Sequence, residues 1–186
     1  MIKKPCIALC GMGGSGKTTL AVALAKRLNL PFIEETIRGT AARMKITNLE
    51  KISDSERIVL ESIALHSQVL VENISKPMGF VADRSVFDYL AYTQVLLPTK
   101  PKVWCMLNEM AKQSPGYTHL FYVPPFPGPR ENDGFRFHTD KFIKAEHEVG
   151  EMLRAIPCAI QLKELGLAER IEEVLSYIGG EHYDHV

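Results

Sequence analysis

Residues Gly11-Met12-Gly13-Gly14-Ser15-Gly16-Lys17-Thr18 match the pattern G-x-x-x-x-G-K-[ST] at every fixed position. No other feature restricts the fold of this chain as much, because the pattern works only between a strand and a helix. Its glycines let backbone N–H groups turn toward an anion, the helix N-terminus adds its dipole, and the lysine supplies a point charge for the outer phosphates. The flanking residues provide that frame. Cys6 to Cys10 is a short apolar run, while Leu20, Ala21, Leu24, Ala25 and Leu28 repeat at helical spacing. The first expectation is therefore a nucleoside triphosphate, with ATP as the assumed species, held by Gly11, Met12, Gly13, Gly14, Ser15, Gly16, Lys17, Thr18 and Thr19. The Thr18 hydroxyl would hold Mg²⁺.

Alternation of strand and helix continues down the chain. Pro31-Phe32-Ile33 reads as a second strand ending at Glu34-Glu35, and Ser53-Asp54-Ser55-Glu56 as a capping box opening a long helix that Pro77 stops. Gly79 to Ala82 is a buried strand delivering Asp83. Ser85 to Leu97 and Lys102 to Lys112 read as helices, Tyr117 to Val123 as a fourth strand and Cys158 to Leu162 as a weak fifth. Asp140 is expected to cap a helix reaching about Ile156, and Leu167 to Ile178 to form the last helix, with a frayed tail over 179–186. Between the fourth strand and Asp140, Pro124, Pro125, Pro127 and Pro129 exclude a helix or central strand, so 124–139 is expected to be a Pro-rich lid. The architecture implied is α/β with three layers: a five-stranded parallel sheet flanked by helices, the P-loop NTPase arrangement, in one domain spanning 1–186.

Composition fits that reading. A chain of 186 residues, 46% hydrophobic and with four cysteines, can bury a core without disulfide staples. Cys6 and Cys10 read as buried reduced thiols on one strand face, no zinc spacing occurs, and no apolar stretch is long enough for a membrane span. With no signal peptide visible ahead of the first strand, a cytoplasmic location is expected. The 22 basic and 22 acidic residues sum to zero, which argues against bulk electrostatic attachment to nucleic acid. That total conceals polarity: residues 1–51 hold nine Lys/Arg against three acids.

Ligands on parallel sheets bind at the carboxyl ends of strands, and Gly11–Thr18, Glu34–Arg38 and Asp83-Arg84 all fall just past strand ends. No N-K-x-D follows a later strand, as a guanine-reading switch would need. Small size and the Asp83-Arg84 pair favour a kinase. Phe87, Tyr89 and Tyr92 lie on an expected helix, where core packing is the default for aromatics.

On four sets of residues the chain resembles the thymidylate-kinase-like and deoxynucleoside-kinase-like branch of P-loop kinases, including small phage and bacterial members related to nicotinamide riboside kinases. The sets are the P-loop, Glu35-Thr36-Ile37-Arg38, the run from Val81 to Tyr92 with Asp83-Arg84-Ser85, and Asp133-Gly134-Phe135-Arg136. The resemblance implies transfer of the γ-phosphate of ATP, with Mg²⁺, to an alcohol or phosphate acceptor between the second and third strand ends. Such transfer is catalysed by positioning and charge neutralisation. The expected catalytic residues are Lys17, Asp83, Arg84, Glu35 and Arg136. Metal would lie on Thr18 and Asp83, and the acceptor on Glu35, Arg38, Arg84 and Phe126, with Arg130 a further lid cation. Asp83 is the first candidate for both metal-linked and proton-accepting work, Glu35 the second. A nucleoside or nucleotide is the leading acceptor, beside a nicotinamide riboside. 5-Hydroxymethyluracil within DNA, which demands base extrusion, and a non-catalytic ATP-binding regulator are the alternatives.

Overall fold

The computed structural model describes residues 4–124, 139–163 and 166–179. Five parallel strands form one sheet: β1 (Cys6–Cys10), β2 (Phe32–Ile33), β3 (Phe80–Asp83), β4 (His119–Tyr122) and β5 (Ala159–Gln161), in the order β2-β3-β1-β4-β5. Helices α1 (Lys17–Leu28), α2 (Thr36–Arg43), α3 (Asp54–Ser75), α4 (Val86–Leu96), α5 (Pro101–Ala111), α6 (Asp140–Arg154) and α7 (Leu167–Gly179) connect and cover them. β1 is apolar throughout because both of its faces are buried, as in any parallel sheet covered on two sides. Ile7 and Leu9 point toward α1 and α7, where Leu20, Leu24, Val174 and Ile178 complete one core. Cys6, Ala8 and Cys10 point the other way, against Ala91 of α4 and Val149 and Leu153 of α6. The two thiols thus share a strand face, both buried and neither in a disulfide among the described residues.

Helix starts follow local chemistry. Ser53 caps α3 in a capping box with Glu56, and Ser85 does the same for α4 with Asp88. α3 ends at Ser75, and Pro77 lies in a single 3₁₀ turn, Lys76–Met78, before β3. Two details depart from the sequence expectation. Thr139, one residue earlier than expected, precedes α6, and Gly179, assigned to the frayed tail, still belongs to α7. A third difference is larger. Thr36–Arg43, read only as a strand-end segment, is a helix packed on α3 through Ala41, Leu49 and Leu60. The remaining lid and tail residues, 125–138 and 180–186, lie outside the described residues.

Register makes the strand ends meet. Leu9 pairs with Asp83 and Ile33 with Ala82, so Glu35, Arg84 and the P-loop emerge side by side. The turn out of β1 needs glycine. Gly11 has φ +120°, and a Cβ there would sit 2.8 Å from the Val123 carbonyl oxygen. From the far end of the chain, Arg170 of α7 reaches under this loop. Only 3% exposed, it donates to the carbonyl oxygens of Ser15 at 2.7 Å and Pro124 at 3.1 Å, fastening the P-loop to the exit of β4. Hydrogen bonds to a charged group are each worth about 1.5–3 kcal/mol. Arg170→Ala should therefore lower unfolding stability by on the order of 3 kcal/mol, measured by denaturant melts. A loss within about 0.5 kcal/mol, ordinary for a surface change, would show that the arginine does not anchor the loop.

Candidate active site

The P-loop curls around its own lysine. Lys17 Nζ donates to the Met12 carbonyl oxygen at 2.5 Å, and burial lowers its pKa, aided by Arg84 and opposed by Asp83, Asp88 and Glu35. Two of the loop's amides are met by carboxylates: Gly13 N–H donates to Glu146 of α6 at 2.6 Å, and Gly11 N–H to Asp88 of α4 at 3.3 Å. Amides converging on acids form an anion-binding nest. Thr18 Oγ1 donates to Asp83 Oδ2 at 2.5 Å, which joins the two expected metal ligands. Burial raises Asp83, against the pull of Lys17 and the Thr18 hydrogen bond. A hydroxyl and a carboxylate beside the phosphate nest are hard oxygen donors of the kind Mg²⁺ takes when substrate phosphates supply the rest of its shell. Among the described residues no cluster of three or more His, Cys, Asp or Glu could hold a metal by itself. Thr19 is exposed in the first turn of α1.

Beyond the loop, Arg84 organises the charged groups at the ends of β2 and β3. It sits between β3 and α4 at φ +93°, a left-handed conformation that costs a non-glycine residue about 1–3 kcal/mol. From there its Nε meets Glu35 Oε1, its Nη1 lies 3.5 Å from Asp88, and its guanidinium stacks 5.2 Å from the centre of the Tyr92 ring. Arg38, more exposed, reaches the other Glu35 oxygen at 3.2 Å. Burial alone would raise Glu35, but Arg84, Lys17 and Arg38 outweigh it and hold the carboxyl below its ordinary value. The residues read from the sequence as Gly11–Thr18, Glu35, Arg38, Asp83 and Arg84 are thus brought to one place. Phe126, Arg130 and Arg136 fall outside the described residues.

A pocket opens between Gly13 and these groups, with an empty volume of about 660 Å³, part of it open to solvent. Glu35, Arg38 and Arg84 line it, whereas Asp83 does not. Its other walls were not read from the sequence: Arg57 and Glu61 of α3, Tyr92 of α4, and Phe142 and Glu146 of α6. One signal for them existed. Arg84, Asp88 and Tyr92 are four residues apart, a helical spacing that aligns all three. Tyr92, expected in the core, faces the pocket, and Tyr89, 3% exposed and hydrogen-bonded to Thr36 at 2.7 Å, packs in the core and reaches the same lining. Arg57 and Glu61 also stand four apart, but only the packing of α2 and α6 shows that this turn of α3 is buried. Arg57 donates to the Leu49 carbonyl and lies over the Phe142 ring.

Glu61 is a strongly perturbed acid in the pocket wall. Burial raises it to about 7, against the attraction of Arg57 and Arg84. An acid whose folded pKa lies above its unfolded value of about 4.3 binds more protons when folded, so its contribution to stability falls as pH rises from about 4.3 to about 7. Glu61→Gln removes that dependence. The stability of the variant relative to the parent should rise by up to about 3 kcal/mol between pH 5 and pH 8, read from denaturant unfolding at both. A difference that does not change with pH would mean that Glu61 titrates normally.

A family model described as AAA domain matches residues 6–170. Among curated proteins, the deoxyadenosine kinase of Dictyostelium discoideum is 34% identical over 91 residues, which is 48% of this chain and 36% of that protein. The bifunctional pantoate ligase/cytidylate kinase of Prochlorococcus marinus (strain NATL1A) is 27% identical over 113 residues, 61% of this chain and 20% of that protein. The chain therefore spans about a third and a fifth of these relatives. Solved structures share the fold. NadR protein in complex with NR superposes with TM-score 0.72 at 18% identity, covering 95% of this chain and 52% of that one. Deoxyadenosine kinase from M. mycoides gives 0.72 at 12%, covering 94% and 98%. Thymidylate kinase from Candida albicans gives 0.69 at 14%, covering 97% and 94%.

Proposed function

We propose that this chain, which belongs to the AAA domain family, is a kinase that moves the γ-phosphate of ATP to the hydroxyl of a nucleoside-type acceptor. The observation that carries the reading is Glu35. It is a carboxylate held ionised by Arg84 and Arg38, in a pocket that reaches Gly13 of the P-loop. A hydroxyl acceptor needs a proton acceptor within hydrogen-bond reach, and a phosphate acceptor does not. Both arginines already pair with Glu35, so the site favours a neutral hydroxyl over a monophosphate. The pocket's aromatic walls, Tyr92 and Phe142, suit a flat ring.

In this reading the P-loop amides and Lys17 bind the triphosphate, with Lys17 released from the Met12 carbonyl. Thr18 and Asp83 hold Mg²⁺, which when bound neutralises charge on the phosphates. Glu35 rather than Asp83 takes the acceptor proton, because Glu35 lines the pocket and Asp83 faces Thr18. As Glu35 takes that proton, the acceptor oxygen bonds to the γ-phosphorus, the bond to the bridging oxygen breaks, and ADP leaves. Arg84 steadies the charge that shifts onto the transferred group. Arg136 and Phe126 enter as lid cation and stacking ring on sequence grounds alone. The related proteins named as deoxyadenosine, cytidylate and thymidylate kinases and the NadR complex with NR support a nucleoside- or nucleotide-type acceptor.

A radiolabelled-ATP transfer assay across nucleosides, a nicotinamide riboside, nucleoside monophosphates and DNA with or without hydroxymethylated pyrimidines tests the assignment. Label is expected on a free nucleoside or riboside. Label retained only on DNA would replace this acceptor with a base in a polymer, and none on any acceptor would leave an ATP-binding protein. Glu35→Gln should lower kcat by roughly 10²–10⁴-fold with ATP affinity preserved, while Lys17→Ala should abolish transfer. A Glu35→Gln enzyme keeping more than about a tenth of kcat would remove the glutamate from the role of base.

A further inference from the structure

A side chain from a distant helix occupies part of the phosphate-binding loop. Glu146 of α6, 133 residues further along the chain, accepts the Gly13 N–H at 2.6 Å and is only 7% exposed. Among the described residues that amide is its one hydrogen-bond partner, and no cation pairs with it. Such a carboxylate is poorly matched, because a buried negative charge is ordinarily met by a cation or by several donors.

Asp88, the other carboxylate at the loop, is different. Besides the Gly11 N–H it accepts from the Ser85 N–H and hydroxyl, each at 2.9 Å, and lies 3.5 Å from Arg84. It is a fixed part of the α4 cap, whereas a single neutral donor holds Glu146. The helix behind Glu146 is fixed as well. Ala145 and Val149 are fully buried, and Val149 and Leu153 pack on the β1 face. Any change at this contact therefore falls on the Glu146 side chain rather than on α6.

Position identifies what the carboxylate replaces. Gly13 and Glu146 both line the pocket shared by Glu35, Arg38 and Arg84, so this amide lies on the side of the loop that faces the acceptor. The terminal phosphate of a triphosphate has to face the same way. A phosphate oxygen and a carboxylate cannot share one N–H without bringing two negative charges into contact where burial leaves them weakly screened.

We propose that Glu146 is an internal stand-in for the γ-phosphate, which covers the Gly13 amide until ATP displaces it and returns once the terminal phosphate has left. Displaced, the carboxylate turns into the pocket, whose wall carries Arg57 and Arg38. ADP has no γ-phosphate and leaves the contact in place, so the device weakens ATP binding selectively. The proposal rests on the P-loop as the ATP site and not on the nature of the acceptor.

Calorimetric titration of the full chain with Mg-ATP and with Mg-ADP, without acceptor, tests it. Glu146→Gln and Glu146→Ala should each tighten ATP binding by roughly tenfold or more, the factor carried by one hydrogen bond to a charged group. ADP binding should stay within about twofold of the parent. Glu148→Gln on the same helix, where Glu148 accepts from Gln94 at 2.8 Å, should bind both nucleotides as the parent does. In the unaltered protein, the amide proton resonance of Gly13 should move with ATP and stay in place with ADP, which needs no variant to fold. Unchanged or weaker ATP binding in both Glu146 variants overturns the proposal, as does equal tightening of ATP and ADP or a Gly13 resonance that responds alike to the two. Failure of parent and variants to bind either nucleotide would overturn the P-loop reading along with it.

Discussion

A guanidinium taken out of water must be matched by carboxylates or it destabilises the fold by several kcal/mol, and Arg84 is such a group at the centre of this molecule. Its partners come from separate elements: Glu35 from the end of β2, Asp88 and Tyr92 from the first turns of α4. Its backbone N–H donates to the Leu9 carbonyl of β1, and its own carbonyl accepts from Gln68 of α3. One residue thus ties the strand ends, α3 and α4 around the space where phosphate chemistry would occur. Its positive φ is tolerated because this set of contacts over-determines its position.

The same enclosure gives three carboxyl groups different characters. Glu35 is surrounded by cations and is held ionised, Asp83 is buried against Thr18 and raised, and Glu61 is buried deeply enough to reach about 7. Separation of titratable groups by environment is how one site supplies different protonation states at one pH. Here the carboxyl groups that residue type alone left alike stand apart, Asp83 with the P-loop threonine and Glu35 in the pocket wall.

Legibility in the sequence followed locality. The P-loop, the capping boxes at Ser53 and Ser85 and the apolar runs of β1, β3 and β4 are decided within a few neighbours, by glycine geometry, side-chain capping and burial of both strand faces. Short β2 and β5 are legible only as brief apolar runs, the fifth weakly, because three or fewer paired residues leave little pattern. α2 was missed. Its eight residues include Gly39 and four threonines or arginines, which gives no apolar periodicity, and Ala41 and Ile37 pack toward Leu60 of α3. Arg57, Glu61, Phe142 and Glu146 were missed for a related reason. A charged residue on an amphipathic helix is ordinarily solvated, and only packing against another helix turns it inward.

The sequence by itself determined that a strand, a phosphate-binding loop and a helix open the chain, that the sheet is parallel, and that Glu35, Arg38, Asp83 and Arg84 stand at strand ends. These follow from periodicity and short-range geometry. Tertiary structure alone decided which of those groups touch. The β2–β3 register sets Glu35 on Arg84, α6 brings Glu146 onto the Gly13 amide, and Arg170 closes the underside of the loop from the far end of the chain. The reason is physical. Burial and charge pairing are properties of an assembled environment, so the character of an acid or a cation exists only once distant elements have surrounded it.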